Sequence, residues 1–214
     1  MHWNKEQLQK ALCLYGVTDS GHLHGRNLED VVADAIQGGV SCIQIREKHL
    51  APEAFLERAK KVQTVCKKAG VPFLINDDVE LAKMLDADGV HVGQQDMAAE
   101  KARQILGKDK IIGVSARTVE QALAAERAGA DYLGVGAAFV TSTKADAVPV
   151  QKETIGEICR AVSIPVVAIG GIRQENLLQL QHTGIAGVAV VSAVFSAEDA
   201  MESAKTLRAL AEQL

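Results

Sequence analysis

Apolar positions along the chain switch between two periods. Short, nearly continuous runs rich in Val and Ile fall at 12–18, 40–46, 72–76, 89–92, 111–115, 132–135, 166–169 and 187–191, and they read as strands buried on both faces. Between them, apolar residues recur at steps of three and four over 28–37, 53–69, 79–85, 98–106, 119–128, 152–161, 174–181 and 198–213; Phe55, Ala59, Val62 and Cys66 are one such stripe. That spacing gives a helix one buried face. A short polar lead with helical spacing precedes the first strand.

Strand and helix therefore alternate eight times, and the even-numbered strands share an entry. Gly39-Val40-Ser41-Cys42-Ile43, Gly129-Ala130-Asp131-Tyr132-Leu133 and Gly184-Ile185-Ala186-Gly187-Val188 each place a glycine where a helix ends into a strand, and Asp86-Ala87-Asp88-Gly89-Val90 fits the same slot. Val71-Pro72-Phe73-Leu74-Ile75 similarly echoes Ile164-Pro165-Val166-Val167-Ala168. Eight βα units with half-chain similarity predict a closed (β/α)8 TIM barrel with a short N-terminal helix, in preference to an open doubly wound sheet. No Pro/Gly/Ser-rich linker interrupts the alternation, so residues 1–214 are expected to form a single domain.

Composition narrows the partners. A net charge of −4, a pI of about 5.9 and 3% aromatic residues speak against a nucleic-acid or anionic-membrane surface. No apolar run approaches the ~20 residues that span a bilayer, and the polar start, Met1 to Gln7, is not followed by a signal-peptide core. Cys13, Cys42, Cys66 and Cys159 lie far apart without a Cys-x-x-Cys pair, so neither a zinc site nor a disulfide framework is indicated, and a reducing, cytoplasmic location is expected. Cys13 and Cys42 sit in apolar runs, where thiols pack rather than react.

A barrel of this kind carries its chemistry on loops at the carboxyl ends of its strands. The second strand ends in Gln44-Ile45-Arg46-Glu47-Lys48. Alternation puts Gln44, Arg46 and Lys48 on one face and Ile45 and Glu47 on the other, so an amide, a guanidinium fork and an ammonium converge as an anion site. The third strand ends in Asn76-Asp77-Asp78 and the fourth runs into His91-Val92-Gly93-Gln94-Gln95-Asp96. Asp77 and Asp96 fit the sparse carboxylate ligation of Mg²⁺, while Asp78 is expected to cap the following helix. The fifth strand offers Ser115 as a polar substrate contact and Thr118 as a helix cap. After the sixth, Thr141-Ser142-Thr143-Lys144 makes a donor-rich loop suited to phosphate. Gly170-Gly171 after the seventh strand and Val191-Ser192 after the eighth occupy the recurrent phosphate position of this fold. Two anion sites on one rim predict two phosphorylated substrates, or one with phosphates at both ends. No nucleophile is apparent.

In their order and spacing, these motifs resemble the thiamine-phosphate synthase family over nearly the whole chain. They are Tyr15-Gly16-Val17-Thr18-Asp19, Gln44 to Lys48, Asn76-Asp77, Gly89 to Asp96, Gly113-Val114-Ser115, Thr141 to Lys144, Gly170-Gly171-Ile172 and Val191-Ser192-Ala193. The resemblance implies a transferase of thiamine biosynthesis. It would join 4-amino-2-methyl-5-hydroxymethylpyrimidine diphosphate to 4-methyl-5-(2-phosphoethyl)thiazole, or its 2-carboxy form, giving thiamine monophosphate and diphosphate. It further implies that Gln44, Ile45, Arg46, Glu47, Lys48, Asn76, Ser115 and Lys144 bind the pyrimidine diphosphate. Asp77 and Asp96 would hold one Mg²⁺ per site. Thr141, Ser142, Thr143, Gly171, Val191 and Ser192 would hold the thiazole phosphate. Catalytic work would fall to Arg46, Lys48, Ser115 and Lys144, which would ease departure of diphosphate before the thiazole nitrogen attacks. The implied partners are small-molecule substrates, not nucleic acid or membrane, and a homo-oligomer is left open.

The chain departs from the family where Ala137 and Val140 stand in place of the usual prolines, which predicts a looser sixth loop. The nearest rival is the related thiazole tautomerase, which transfers a proton and has no leaving diphosphate to neutralise. The Gln-x-Arg-x-Lys run, both aspartates and Lys144 favour coupling. His91 would be the proton shuttle in that rival, but a histidine at a strand end reads more simply as structural. The His22-x-His24 pair has no evident third ligand. A non-catalytic sensor of phosphorylated ligands is the alternative from another class.

Overall fold

The computed structural model describes residues 3–47, 50–141 and 149–214. Eight parallel strands close into a barrel in sequence order: β1 (Leu14–Val17), β2 (Cys42–Ile45), β3 (Phe73–Asn76), β4 (Gly89–Val92), β5 (Ile111–Ala116), β6 (Tyr132–Gly136), β7 (Val166–Ile169) and β8 (Gly187–Val190). Outside them lie α2 (Leu28–Gln37), α3 (Pro52–Ala69), α4 (Val79–Met84), α5 (Ala99–Leu106), α6 (Val119–Arg127), α7 (Lys152–Ala161), α8 (Ser192–Phe195) and α9 (Ala200–Ala211). The N-terminal helix α1 (Lys5–Ala11) starts on a capping box between Asn4 and Gln7.

Successive strand residues face opposite sides. Leu14, Ile43, Ile45, Phe73, Ile75, Val90, Val92 and Leu133 pack outward against the helices. Tyr15, Val17, Cys42, Leu74, Ile111, Tyr132, Val167 and Ala189 fill the interior. Double-sided burial is why the strands carry no polar alternation in the sequence.

The shared entry of the even-numbered strands has a common geometry. Gly39, Gly129 and Gly184 have φ of +112°, +87° and +87°, and Asp86, in the same slot, has +49°. Two residues later, the backbone N–H groups of Ser41, Asp88, Asp131 and Ala186 donate to the carbonyls of Leu14, Phe73, Ile112 and Val166 on the preceding strand. In three of the four units the side chain completes the clasp. Ser41 Oγ accepts from Leu14 N at 3.3 Å, Asp88 Oδ2 from Phe73 N at 3.0 Å and Asp131 Oδ2 from Ile112 N at 2.7 Å. These polar groups satisfy amides at the amino end of the barrel, the end that supports stability rather than chemistry in this fold.

Two segments differ from the periodicity. The helix expected over 174–181 is a 3₁₀ turn, Leu177–Leu180. Asn176 accounts for it: its Oδ1 accepts from Arg173 N at 2.8 Å and its Nδ2 donates to Gly171 O at 2.9 Å, so a local side-chain bond competes with helix propagation. The short helix α8 was not legible, because four residues are too few to express a 3.6-residue period. In the sixth loop, Ala138 N and Phe139 N donate to Ile169 O and Gly170 O at 2.8 and 3.0 Å. Despite lacking proline, the chain is pinned to the end of β7 through Phe139.

Candidate active site

All eight strands end on one mouth. On β2, Gln44 is only 3% exposed and turns inward, where its Nε2 donates to Tyr15 Oη at 2.5 Å. Ile45 is fully buried in the outer core, so any ligand contact it makes runs through its backbone. Arg46 follows the last strand residue, half-buried, with its N–H fixed by Thr18 Oγ1 at 3.0 Å. Glu47 faces the other way, as the alternation requires: it accepts from Ser20 Oγ at 2.5 Å and pairs with Arg58 Nη1 of α3 at 3.4 Å. Its Oε1 is buried and has no partner among the described residues. Lys48 lies outside the described residues.

Asn76 closes β3 and stands opposite His91 in the register. Asp77 turns the chain with φ of +63°, and its N–H donates to His91 O at 2.8 Å. Asp78 caps α4, its carboxylate accepting from Leu81 N at 2.8 Å. Thr118 likewise caps α6. On the β4 loop, exposed Asp96 accepts from Gly93 N through Oδ2 at 2.7 Å, and Gln94 Nε2 donates to Ser115 O at 2.6 Å. Asp77 and Asp96 thus leave adjacent strands at the same end of the barrel.

Beneath this rim an unbroken line of hydrogen bonds crosses the interior. It runs from Gln44 to Tyr15, from Tyr15 Oη to Tyr132 Oη at 2.8 Å, from Tyr132 Oη to His91 Nδ1 at 2.8 Å, and from His91 Nε2 to Ser115 Oγ at 2.9 Å. Missing side chains make the room: a Cβ on Gly113 would lie 2.2 Å from Tyr132 Cζ, and one on Gly134 2.9 Å from His91 Cε1. Burial pushes both phenols well above the usual tyrosine range, so they act as hydroxyls. Burial also pulls His91 down to about 4, with Asp96 partly opposing the shift.

The sign of the resulting pH dependence follows. Between the ordinary histidine value of 6.5 and about 4, the unfolded chain takes up a proton at this position and the folded one does not. Stability is then complete above 6.5 and is lost progressively as pH falls toward 4. Discounted for the part of the residue that still reaches the mouth, the loss is roughly 2 to 3 kcal/mol. Urea midpoints at pH 7 and 4.5 should show it, and His91→Asn should remove that share of the slope.

The remaining rim comes from the last three loops. Gly170 and Gly171 have φ of +101° and +65°. A Cβ on Gly171 would fall 2.4 Å from Val140 O, so here glycine serves both the left-handed turn and the close approach of the sixth loop. Gly171→Ala is expected to cost roughly 2 to 3 kcal/mol, read as a lower denaturant midpoint. Thr141 lies on the sixth loop, half-buried, while Ser142, Thr143 and Lys144 lie outside the described residues. Val191 precedes α8, and exposed Ser192 opens it.

The sequence profile of the family described as thiamine monophosphate synthase matches residues 14–194, from the first barrel strand into α8. The chain belongs to that family. The thiamine-phosphate synthase of Ruminiclostridium cellulolyticum is 51% identical, the match covering 91% of this chain and 92% of the relative. That of Clostridium tetani is 47% identical over 91% and 93% of the two chains. The solved thiamine phosphate pyrophosphorylase of Pyrococcus furiosus superposes with a TM-score of 0.87 at 38% identity, covering 96% of this chain and 98% of that one.

In this thiamine monophosphate synthase family member, sequence reasoning overlooked the two interior tyrosines. The available signal was that the chain has only two tyrosines and that both fall inside predicted strands. A phenol in such a strand is a polar group needing a partner.

Proposed function

We propose that this chain is a thiamine-phosphate synthase that couples 4-amino-2-methyl-5-hydroxymethylpyrimidine diphosphate to 4-methyl-5-(2-phosphoethyl)thiazole or its 2-carboxy form, releasing thiamine monophosphate and diphosphate, and carbon dioxide as well from the carboxy form. The observation that carries the reading is the near-full-length match, at 51% identity, to a relative bearing that name. Retention of Arg46, Asp77 and Asp96 at one end of the barrel supports it.

Gln44, Asn76 and Ser115 hold the pyrimidine, with Arg46 directing its donor fork at the diphosphate. Ile45 and Glu47 belong to the same turn, the first by backbone and the second by tying it to α3 through Arg58. Lys48 and Lys144 add cationic charge on motif grounds. Thr141, Ser142, Thr143, Gly171, Val191 and Ser192 form the thiazole-phosphate end. Asp77 and Asp96 are the residues that would hold magnesium. Two hard carboxylates on adjacent loops, with no cluster of three or more acidic, His or Cys residues among the described ones, suit an ion that completes its shell with water and substrate phosphates. When bound, magnesium supplies positive charge against the leaving diphosphate. The side chains need no general base for coupling. They neutralise the departing oxygens and hold the thiazole nitrogen near the pyrimidine methylene carbon, so that the C–O bond breaks and the C–N bond forms without a protein nucleophile.

The chain is further read as one domain over residues 1–214 working in the cytoplasm, a location supported by four free cysteines. Among the described residues no helix is long and apolar enough to cross a membrane. Incubation of the purified chain with both substrates should yield thiamine monophosphate and diphosphate in equal amounts, and only with Mg²⁺. Isomerisation of the thiazole carboxylate without coupling would transfer the reading to the tautomerase. Binding without turnover would make the chain a sensor.

A further inference from the structure

The interior hydrogen-bond line has a direction that proton counting fixes. Gln44 donates through Nε2, so Tyr15 Oη accepts there and has one proton left to place. Its other partner is Tyr132 Oη, which must accept that proton and pass its own to His91 Nδ1. An imidazole that accepts at Nδ1 carries its proton on Nε2, which then donates to Ser115 Oγ. Tyr15, Tyr132 and His91 have each spent their one proton along the line. What remains at the two ends is Gln44 Oε1, an acceptor, beside the second N–H of the same amide, and the Ser115 hydroxyl proton, a donor; neither Oε1 nor that proton has another partner among the described residues.

We infer that Tyr15, Tyr132 and His91 are positioning residues that lock Gln44 as an acceptor and Ser115 as a donor toward the pyrimidine ring. This rests on the reading of Gln44 and Ser115 as pyrimidine contacts. Left to themselves, a primary amide can flip and a hydroxyl can rotate, so either end could offer the opposite polarity. The line removes that freedom because reversing one member requires reversing all five, and the tyrosines, 1% and 0% exposed, are shielded from bulk solvent. A ring bearing an amino donor and a ring-nitrogen acceptor suits an acceptor–donor pair of fixed polarity. The same ring with a hydroxyl in place of the amino group, in its keto form, presents the opposite polarity and meets like against like.

The test uses ¹⁵N-histidine-labelled protein, with the His91 signal assigned by its absence from His91→Asn. Wild-type His91 should be the neutral form protonated at Nε2, and this measurement needs no substrate. A ring protonated at Nδ1 would overturn the proposal whether or not the chain makes thiamine monophosphate; failure of coupling alone would sink only the functional reading. Tyr132→Phe, with Tyr15→Phe as the second break in the line, should mix the two His91 tautomers. It should raise KM for the pyrimidine diphosphate about tenfold, with a smaller effect on kcat and none on KM for the thiazole phosphate. Discrimination against the hydroxyl-for-amino analogue should narrow by a similar factor. Folded Tyr→Phe variants that keep the wild-type tautomer and the wild-type discrimination would show that the line is packing alone.

Discussion

Asp77→Asn should lower kcat by ~10²- to 10³-fold, the usual loss when stabilisation of a developing anion is weakened, here by loosening the magnesium that would face the diphosphate, while the unfolding midpoint stays near that of the wild type. Asparagine is the informative replacement because Asp77 sits at φ of +63°, a left-handed conformation that Asn adopts readily and Ala does not. The N–H bond to His91 O at 2.8 Å is retained, so the substitution removes charge and leaves the turn. Rates measured across a magnesium titration should need higher concentrations in the variant. Asp96→Asn should behave alike, since an amide oxygen can still accept from Gly93 N. Wild-type turnover in Asp77→Asn would remove Asp77 from the mechanism.

Arg46→Ala should cost ~10²-fold in kcat/KM for the pyrimidine diphosphate and leave KM for the thiazole phosphate unchanged. The backbone of Arg46 is held by Thr18, whose side chain is fully buried, so truncation beyond Cβ deletes the guanidinium without releasing the strand end. Arg46→Lys should recover part of the loss: a point charge remains, but the planar two-pronged contact with phosphate oxygens does not. Full recovery by lysine would show that charge alone is used. Steady-state kinetics with each substrate varied in turn separates these outcomes.

How much of this was legible follows from which forces leave a local trace. Double-sided burial writes itself into the sequence as Val/Ile runs, so all eight strands were found to within a few residues. Alternation along 44–47 put Gln44 and Ile45 on opposite faces, and the structure turns the first to the interior and the second to the outer core. Caps at Asp78 and Thr118 were readable because the capping residue lies next to the helix it serves. The interior line was not, because Tyr15 and Tyr132 meet across the barrel from β1 and β6, and nothing near either residue names the other. Gly113 and Gly134 read as ordinary strand glycines until the side chains occupying their missing Cβ positions are known. The left-handed turn at Asp77 also leaves no mark, since the residue that adopts it is not glycine.

The clasps at Ser41, Asp88 and Asp131 imply that what repeats around this cylinder is a place for an oxygen lone pair, not a particular amino acid. Serine and aspartate trade places there, and Ala186 shows the quarter-turn surviving on main chain alone. The object has fourfold character that residue identity, compared quarter against quarter, largely conceals.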